Sequence, residues 1–397
     1  MSLEVVDPVT SHGIIPNGPL LSVRQLKTGF RTARGLVRAV DGVSFDLPRG
    51  QTLGVVGESG SGKTVLSRSV MRMLPRSNLV SEGSVFFEGR DLVGLAPSEL
   101  QAIWGAEIGL VSQDPMTALN PVVKIGRQIT ESIRHHLGAG KADAREMGIS
   151  LLQSVAMPEP EKRMDVYPHE LSGGLRQRVT IAMALACGPK LLIADEPTTA
   201  LDVTVQAQIL DLLGHQQRER NMAMILITHD LGVVAGRCDQ IVVMYAGKVV
   251  EAAPTRILFS DVKMRYTEAL MASIPRLSAP SHTRLQAIDG RPPDLVDPPP
   301  GCRFAPRCRY ADDHCRDEEP PLMPAGSPGH FFACWHPVGG MPPPPDHEVA
   351  RYLSKPGSAK QVPIPAESAG APEAPSAALA GLAEIASPGD PGGFDGR

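Results

Sequence analysis

The sequence has no long hydrophobic run, no surplus of positive charge and few aromatic residues. A membrane-spanning helix needs about 18 or more consecutive apolar residues, and no stretch of this chain provides them. Lys and Arg total 39 against 43 Asp and Glu, so the net charge is −4 and the totals lack the basic excess of nucleic-acid-binding proteins. We therefore expect no nucleic acid partner. Glu4 and Asp7 stand where a secretory signal would be basic and then apolar, so we expect no such signal.

Proline is sparse through most of the chain and becomes frequent after Pro275, which predicts a change of organisation there. We expect a flexible N-terminus over residues 1–19, a compact domain over 20–275 and a small extension over 276–340. Residues 341–397 are rich in Pro, Ala, Gly and Ser, a composition that buries too little surface to offset chain entropy. This tail is predicted to be disordered.

A glycine-rich segment fits the phosphate-binding loop G-x-x-x-x-G-K-[ST] at every defined position. It consists of Gly57, Glu58, Ser59, Gly60, Ser61, Gly62, Lys63 and Thr64. An apolar run precedes it and helically spaced apolar residues follow it, so the loop should join a strand to a helix. Backbone N–H groups at a helix N-terminus attract phosphate oxygens. We expect Lys63 to reach the β- and γ-phosphates of ATP, and Thr64 to bind Mg²⁺.

Two carboxylates follow the apolar run that begins at Leu191, namely Asp195 and Glu196. Continuous apolar runs are typical of buried parallel strands, whose carboxyl ends gather ligands in open α/β sheets. Asp195 is therefore expected to hold Mg²⁺, mainly through water, and Glu196 to orient and polarise the attacking water.

Ser172, Gly173 and Gly174 precede a predicted helix and would place another positive helix end at a phosphate. On its own this short motif is more often a simple helix start. Its position between the phosphate loop and the two carboxylates gives it more weight.

Together these motifs resemble the ATP-binding-cassette (ABC) ATPases. The resemblance implies an α/β fold: a mixed-sheet core with the phosphate loop, an antiparallel β-subdomain and a helical subdomain over about 115–175. It also implies a head-to-tail dimer, in which Ser172, Gly173, Gly174 and Asp202 contact ATP held by the opposite subunit. Gln113 corresponds to the glutamine that contacts Mg²⁺ and the attacking water, and His229 to the histidine that contacts the γ-phosphate. Phe30 is the candidate for stacking on adenine.

Three longer strings are similar to the oligopeptide, dipeptide and nickel importer branch of this family. They are residues 113–121, 167–174 and 195–205. This implies an ATPase subunit that hydrolyses ATP to drive peptide uptake. The implied partners are two transmembrane permeases, a second ATPase and an extracytoplasmic solute-binding protein, and the implied location is the cytoplasmic face of the inner membrane. The alternatives are a soluble ABC ATPase of DNA or ribosome processes, and an importer of nickel or another small solute.

Four of the six cysteines lie within the predicted extension, with five, six and eighteen residues between neighbours: Cys302, Cys308, Cys315 and Cys334. The spacing lacks a C-x₂-C pair and leaves three interpretations open: a 4Fe–4S cluster, zinc aided by nearby histidines, and reduced thiols. Four nearby arginines could offset the negative charge of a cluster, namely Arg303, Arg307, Arg309 and Arg316. The segment 301–308 is similar to the importer extension in which some members hold a 4Fe–4S cluster, which favours the cluster.

Overall fold

The computed structural model describes residues 18–75, 77–199, 201–274 and 288–340. Most of the predicted flexible N-terminus and the whole predicted tail lie outside these residues. The strands, numbered in chain order, are β1 (Leu21–Thr32), β2 (Gly35–Leu47), β3 (Thr52–Val56), β4 (Leu79–Phe87), β5 (Arg90–Asp91), β6 (Ile108–Val111), β7 (Leu191–Asp195), β8 (Ala223–Thr228), β9 (Gln240–Tyr245), β10 (Lys248–Pro254), β11 (Met323–Pro324) and β12 (Phe331–Phe332).

Six of the twelve helices in the described part of the chain lie between β6 and β8. The twelve are α1 (Lys63–Val70), α2 (Pro97–Ile103), α3 (Pro115–Ala118), α4 (Ile125–Leu137), α5 (Lys141–Ser154), α6 (Pro160–Arg163), α7 (Gly173–Leu185), α8 (Val203–Glu219), α9 (Leu231–Val234), α10 (Thr255–Ser260), α11 (Arg265–Ala272) and α12 (Asp313–Asp317). Short 3₁₀ turns occur at Pro168–Glu170 and Ala305–Arg307. No helix among the described residues is long and apolar enough to cross a membrane.

The main sheet has the strand order β11-β12-β10-β9-β3-β8-β7-β6. Strands β9, β3, β8, β7 and β6 run parallel, whereas the β10, β12 and β11 side is antiparallel. The parallel strands β3, β7 and β8 are buried along their whole length, as their continuous apolar sequences predict. Because they are parallel neighbours, β6, β7 and β8 end at one edge of the sheet.

A second sheet is antiparallel and has the order β2-β1-β4-β5. It packs on the main sheet through a shared apolar cluster that includes Val23, Phe87 and Ile193. The predicted antiparallel β-subdomain is therefore confirmed.

The helical subdomain contains α3 to α7 and packs around apolar residues spaced by four. Ile125, Ile129 and Ile133 are fully buried, whereas Leu137, next in the same series, is 48% exposed at the helix end. The mixed sheet and the helical subdomain of the predicted fold are thus both present.

The C-terminal extension is joined to the ATPase core. Its strands β11 and β12 continue the main sheet beyond β10, and Phe304, Phe332 and Cys334 belong to the same buried cluster as the helical subdomain. The sequence predicts a small extension over residues 276–340, and that boundary stays a prediction. Burial of these side chains against the main sheet makes the extension part of one packed core.

Candidate functional site: a phosphate loop beside a cysteine cavity

The phosphate loop connects β3 to α1 in a backbone conformation that requires glycine. Gly57 has φ 153° and Gly62 has φ 99°. A Cβ atom at Gly57 would lie 2.1 Å from the Met244 carbonyl oxygen, and one at Gly62 would lie 2.1 Å from that of Ala39. Any side chain at these positions would therefore displace neighbouring backbone.

Lys63 is folded back onto this loop. Its Nζ atom donates hydrogen bonds to the carbonyl oxygens of Gly57, at 2.7 Å, and Glu58, at 3.0 Å. Burial lowers the pKa of Lys63, and the nearby carboxylates of Glu196 and Asp195 oppose that shift. The loop thus holds a buried ammonium group at its centre.

Asp195 is the last residue of β7 and lies beside the phosphate loop. Its Oδ1 atom accepts a hydrogen bond from the Thr64 hydroxyl at 3.2 Å, and its Oδ2 atom lies 3.5 Å from the Ser67 hydroxyl. Burial raises the pKa of the Asp195 carboxyl. A buried carboxylate beside a hydroxyl is an oxygen donor set of the kind that Mg²⁺ prefers.

The Glu196 carboxylate lies near four other polar side chains at the same edge of the sheet. Its Oε2 atom accepts hydrogen bonds from Gln113 Nε2 at 3.0 Å and from the Thr199 hydroxyl at 3.1 Å. His229 Nδ1 lies 3.5 Å from Oε2, and Lys63 Nζ lies 3.8 Å from Oε1. Gln113, Glu196 and His229 follow β6, β7 and β8, and this adjacency is the reason that they meet.

Glu196 also carries backbone strain. Its φ of 46° is in the left-handed region, which a residue with a Cβ atom rarely adopts. Its N–H donates to the Ile227 carbonyl at 2.9 Å, which holds this conformation. Strain of this kind is often found where a side chain must be aimed at a ligand.

The second glycine motif lies elsewhere on the domain. Ser172 caps α7 by accepting a hydrogen bond from the Leu175 N–H at 3.4 Å, and Asp202 caps α8 through the Val205 N–H at 3.0 Å. Gly174 lies close to Val205, so the two helix starts are neighbours. Among the described residues, no hydrogen bond or ion pair joins 172–174 to 57–64. The structure therefore groups the motif with Asp202 and not with the phosphate loop of its own chain.

Phe30, the residue predicted to stack on adenine, lies in β1. It is half-buried, opposite Val37 of β2 and Leu79 of β4. Its contact with adenine stays a prediction.

All four cysteines of the extension line one small cavity, together with Met264, Arg265, Phe304, Ala305, Tyr310, Ala311, Trp335 and His336. The thiols come from separate segments, and burial raises their pKa values, that of Cys302 to about 11. Cys187 and Cys238 are not among the residues of this cavity.

The side chains at the cavity include ligands for two kinds of metal site. No three of the four thiols lie within 4.8 Å of one another; within the described part of the chain, only Asp312, Cys315 and His336 form such a group. Thiolates around a tetrahedral zinc would be about 3.8 Å apart, given Zn–S bonds of about 2.3 Å. The four thiols are therefore not gathered around one tetrahedral ion but line one cavity together, and Cys315 with Asp312 and His336 forms a mixed ligand group of the kind that zinc accepts.

Three of the four arginines named as possible counter-charges for a cluster pair with carboxylates, whereas Arg309 lies over the ring of Tyr310, which lines the cavity. Arg303 donates to the Ala246 carbonyl and pairs with Asp41, Arg307 pairs with Glu58, and Arg316 pairs with Asp313. Each of these three guanidinium groups lies within hydrogen-bond reach of its carboxylate. The arginine that lines the cavity is Arg265, which the sequence did not single out.

Sequence reasoning also missed three residues that contact the site. Thr199 donates to Glu196, Tyr266 accepts the Glu58 N–H at 2.9 Å, and Arg307 binds the Glu58 carboxylate. Thr199 stands three residues after Glu196, so proximity along the chain was an available signal. Tyr266 and Arg307 are more than 200 residues from the loop along the chain, and no sequence pattern connects them with it.

Comparison with known proteins agrees with this geometry. The family model for ABC transporters matches residues 40–199, and that for the oligopeptide/dipeptide transporter C-terminal region matches residues 250–315. The chain is 46% identical to the oligopeptide transport ATP-binding protein OppD of Bacillus subtilis (strain 168), over 86% of this chain and 98% of that protein. The chain belongs to the ABC transporter family, in its oligopeptide/dipeptide branch. It is an ATPase of the ABC type, as the motifs predict.

Other similarities point to the same family. The chain is 50% identical to OppD of Haemophilus influenzae, over 80% of this chain and 97% of that protein. It is 48% identical to the dipeptide transport ATP-binding protein DppD of Bacillus subtilis, over 80% of this chain and 94% of that protein. Among solved structures it is similar to the ATP-binding cassette MJ0796 in a dimeric post-hydrolysis state bound to ADP and phosphate. The TM-score is 0.53 at 25% identity, over 59% of this chain and 98% of that one. These similarities confirm the predicted ABC fold.

Proposed function

We propose that this chain is the ATP-hydrolysing subunit of an importer for short peptides. The observation that carries the proposal is the arrangement around Glu196 beside the phosphate loop: Gln113 Nε2 lies 3.0 Å and His229 Nδ1 lies 3.5 Å from Glu196 Oε2. The peptide substrate rests on the names of the relatives, which are oligopeptide and dipeptide transport proteins.

The chemistry follows from the positions of these side chains. Lys63 leaves the loop carbonyls to bind the β- and γ-phosphates of ATP, and Glu196 polarises the attacking water as general base. Gln113 and His229 orient the water and the γ-phosphate. Magnesium, held by Thr64, Asp195 and Gln113, would supply charge neutralisation on the phosphates.

The dimer is a further part of the proposal. Ser172, Gly173 and Gly174, with Asp202, would contact ATP bound to a second ATPase, because they do not contact the phosphate loop of their own chain. Phe30 would stack on the adenine ring. The described dimeric state of MJ0796 supports this arrangement by analogy.

The transport assembly would place this chain at the cytoplasmic face of the inner membrane as a peripheral subunit. Its partners would be two permeases, a second ATPase and an extracytoplasmic solute-binding protein. The oligopeptide/dipeptide C-terminal region supports this assembly over a soluble ABC ATPase of DNA or ribosome processes.

Purification from the native membrane in mild detergent tests this function. We expect the chain to be recovered with two permeases and a solute-binding protein, and the ligand of that protein to be a peptide. A nickel or other small-solute ligand would keep the ATPase and replace the cargo. Recovery with ribosomal or DNA-bound proteins alone would contradict the transport function.

We also propose that Cys302, Cys308, Cys315 and Cys334 hold a 4Fe–4S cluster. The support is that all four line one cavity. When bound, the cluster would supply a structural crosslink between separate segments of the extension, or a sensing role. Arg265 would lie beside it and offset part of its negative charge.

Metal analysis of the anaerobically purified chain tests the cluster. We expect about four iron and four sulfide per chain, consistent with a 4Fe–4S group. Cys334→Ala should lose the iron, whereas the matched control Cys238→Ala, outside the cavity, should keep it. One zinc per chain without sulfide would contradict the cluster.

A further inference from the structure

We propose that Arg307 is a positioning residue for ATP binding: it neutralises Glu58 of the phosphate loop and thereby sets the affinity of the loop for a triphosphate. The inference rests on the proposed function, since it requires that the loop bind ATP. It gives the C-terminal extension a direct part in the nucleotide site, although Arg307 itself need not contact ATP.

The contact between the two side chains is a two-point ion pair. Nη1 of Arg307 lies 2.6 Å from Oε2 of Glu58, and Nη2 lies 2.9 Å from Oε1. The Arg307 side chain is only 4% exposed and that of Glu58 is 27% exposed. Paired forks of this kind are stronger and more directional than a single charged hydrogen bond, and partial burial limits their screening by salt.

Arg307 is itself held in one orientation by backbone and side-chain acceptors. Its Nε atom donates to the Asp289 carbonyl at 2.8 Å, and Nη2 donates to the Ile288 carbonyl at 3.1 Å. Nη1 lies 3.2 Å from the hydroxyl of Tyr245, which ends β9 beside β3. The guanidinium therefore needs little reorganisation to keep Glu58 in place.

The backbone of Glu58 is held by hydrogen bonds, in addition to the ion pair of its side chain. Its N–H donates to the hydroxyl of Tyr266 at 2.9 Å, and Tyr266 is fully buried in α11 against Tyr245 and Phe304. The Glu58 carbonyl oxygen accepts from Lys63 Nζ. A shift of Glu58 would thus move both the start of the loop and an anchor of its lysine.

Charge explains why the pair matters for ATP. Glu58 puts a carboxylate into a loop that must receive a triphosphate, and like charges at close range repel. A guanidinium bound to that carboxylate cancels most of its field. Without Arg307, the loop would present an uncompensated negative charge, and the cost would fall on nucleotide binding more than on the hydrolysis step.

The test compares Arg307→Met with Arg309→Met in the full-length chain, by equilibrium binding of Mg·ATP. Arg309 is exposed and flanks Cys308 on the other side, so it is the matched control. We expect Arg307→Met to raise the Kd for ATP at least about tenfold, as losing a buried charged hydrogen-bond pair predicts. Arg309→Met should change it by less than about twofold, as for a surface charge. Arg307→Lys keeps the charge and should fall between.

Two further readouts separate positioning from a merely structural role. In the assembled transporter, Arg307→Met should raise KM while kcat at saturating ATP stays near that of the unchanged protein. In a Glu58→Gln background the effect of Arg307→Met on Kd should largely disappear, because no carboxylate is left to neutralise. Thermal unfolding without nucleotide shows whether each variant is folded.

Two results would overturn the inference, and a third would overturn the proposed function. A Kd for Arg307→Met within twofold of that of the unchanged protein would overturn the inference. So would an equal effect in the Glu58→Gln background, because Arg307 would then act independently of the loop carboxylate. If the unchanged protein and the Arg309→Met variant both failed to bind ATP, the proposed function would fall instead.

Discussion

The phosphate-loop site and the cysteine cavity are built in different ways. Each catalytic candidate follows a parallel strand, so Gln113, Glu196 and His229 are aimed from one sheet edge by regular structure. The cavity takes its lining from α11 and from loop segments around 302–315 and 334–336, where regular structure is short. The sheet therefore positions the catalytic candidates of the phosphate-loop site. In the cysteine cavity, contacts between side chains must position the thiols.

The two regions should respond differently to the loss of a side chain. We expect the sheet edge to keep its shape when one polar group is lost, because the strands below it are buried on both faces. The extension depends on a few buried polar anchors: Arg303 and the pair of Glu251 with His330. Substitutions at the sheet edge should therefore change kcat more than the free energy of unfolding. Loss of a buried anchor in the extension should change the free energy of unfolding more than kcat.

The largest expected effect is on hydrolysis by Glu196→Gln. The amide keeps the shape of the side chain but cannot act as a base, so kcat should fall by at least about 100-fold, a typical size for loss of a catalytic proton acceptor. ATP binding and the free energy of unfolding should change little. Steady-state phosphate release by the assembled transporter, with the exposed Glu131→Gln as control, provides the measurement. Normal turnover would remove Glu196 from the role of base.

Lys63→Ala should act on binding itself. Loss of a charged hydrogen-bond donor to phosphate is worth about 1.5–3 kcal/mol, which corresponds to roughly 10- to 150-fold in the Kd for ATP. Titration with a fluorescent ATP analogue measures it, and Lys141→Ala, at an exposed position of α5, is the control. An unchanged Kd would mean that the loop is a structural turn.

The two regions also differ in how far the sequence predicts them. The strand before the phosphate loop is found where the apolar run places it, at Thr52–Val56, and the convergence of Glu196 with Gln113 follows from parallel strands that end together. These features depend on local sequence and on one rule of sheet topology. A sequence pattern of that kind carries no information about side chains that meet across the fold.

The extension illustrates that limit. The cysteine group was visible as a cluster in sequence, but the partners of its arginines were not, because Arg303 and Arg307 reach carboxylates more than 240 residues away. Likewise, nothing in the spacing indicates that β11 and β12 extend the main sheet. Such contacts are set by packing of distant segments and require the structure.

A third prediction concerns the stability of the extension. His330 and Glu251 are fully buried, with His330 Nε2 2.9 Å from Glu251 Oε1, and Glu251 also accepts the N–H groups of Lys263 and Met264. His330→Ala leaves that carboxylate short of a partner and should lower the free energy of unfolding by about 3 kcal/mol. Urea denaturation measures the loss, with the exposed His215→Ala as control. The kcat at saturating ATP should be retained.

That result would set the two regions apart. If His330→Ala instead removed kcat and left the unfolding midpoint unchanged, the extension would belong to the chemistry and the contrast would be wrong. Limited proteolysis locates the change, because cleavage should begin within residues 301–336 when the anchor is lost.

The smallest expected effect is at the opposite end of the parallel strands, in a charged group on the surface. Lys190, just before β7, donates to Glu88 at 2.6 Å and to Glu107 at 2.8 Å, and its side chain is 45% exposed. Exposed pairs contribute little, so Lys190→Met should cost no more than about 1 kcal/mol and leave the Kd for ATP unchanged. Lys141→Met is the control.

The pH dependence of that small loss is also predictable. Partial burial favours the protonated form of Glu88, but hydrogen bonds from Lys190 and Arg49 outweigh it and hold the pKa of Glu88 below its ordinary value of 4.5. A carboxyl whose pKa is lower in the folded state stabilises it above the unfolded pKa, and this contribution fades as the pH falls through the folded pKa. The stability difference between the unchanged protein and Lys190→Met should therefore be largest near neutral pH and shrink below 4.5. A difference that stayed constant as the pH fell would show that the charge pair with Glu88 contributes nothing to it.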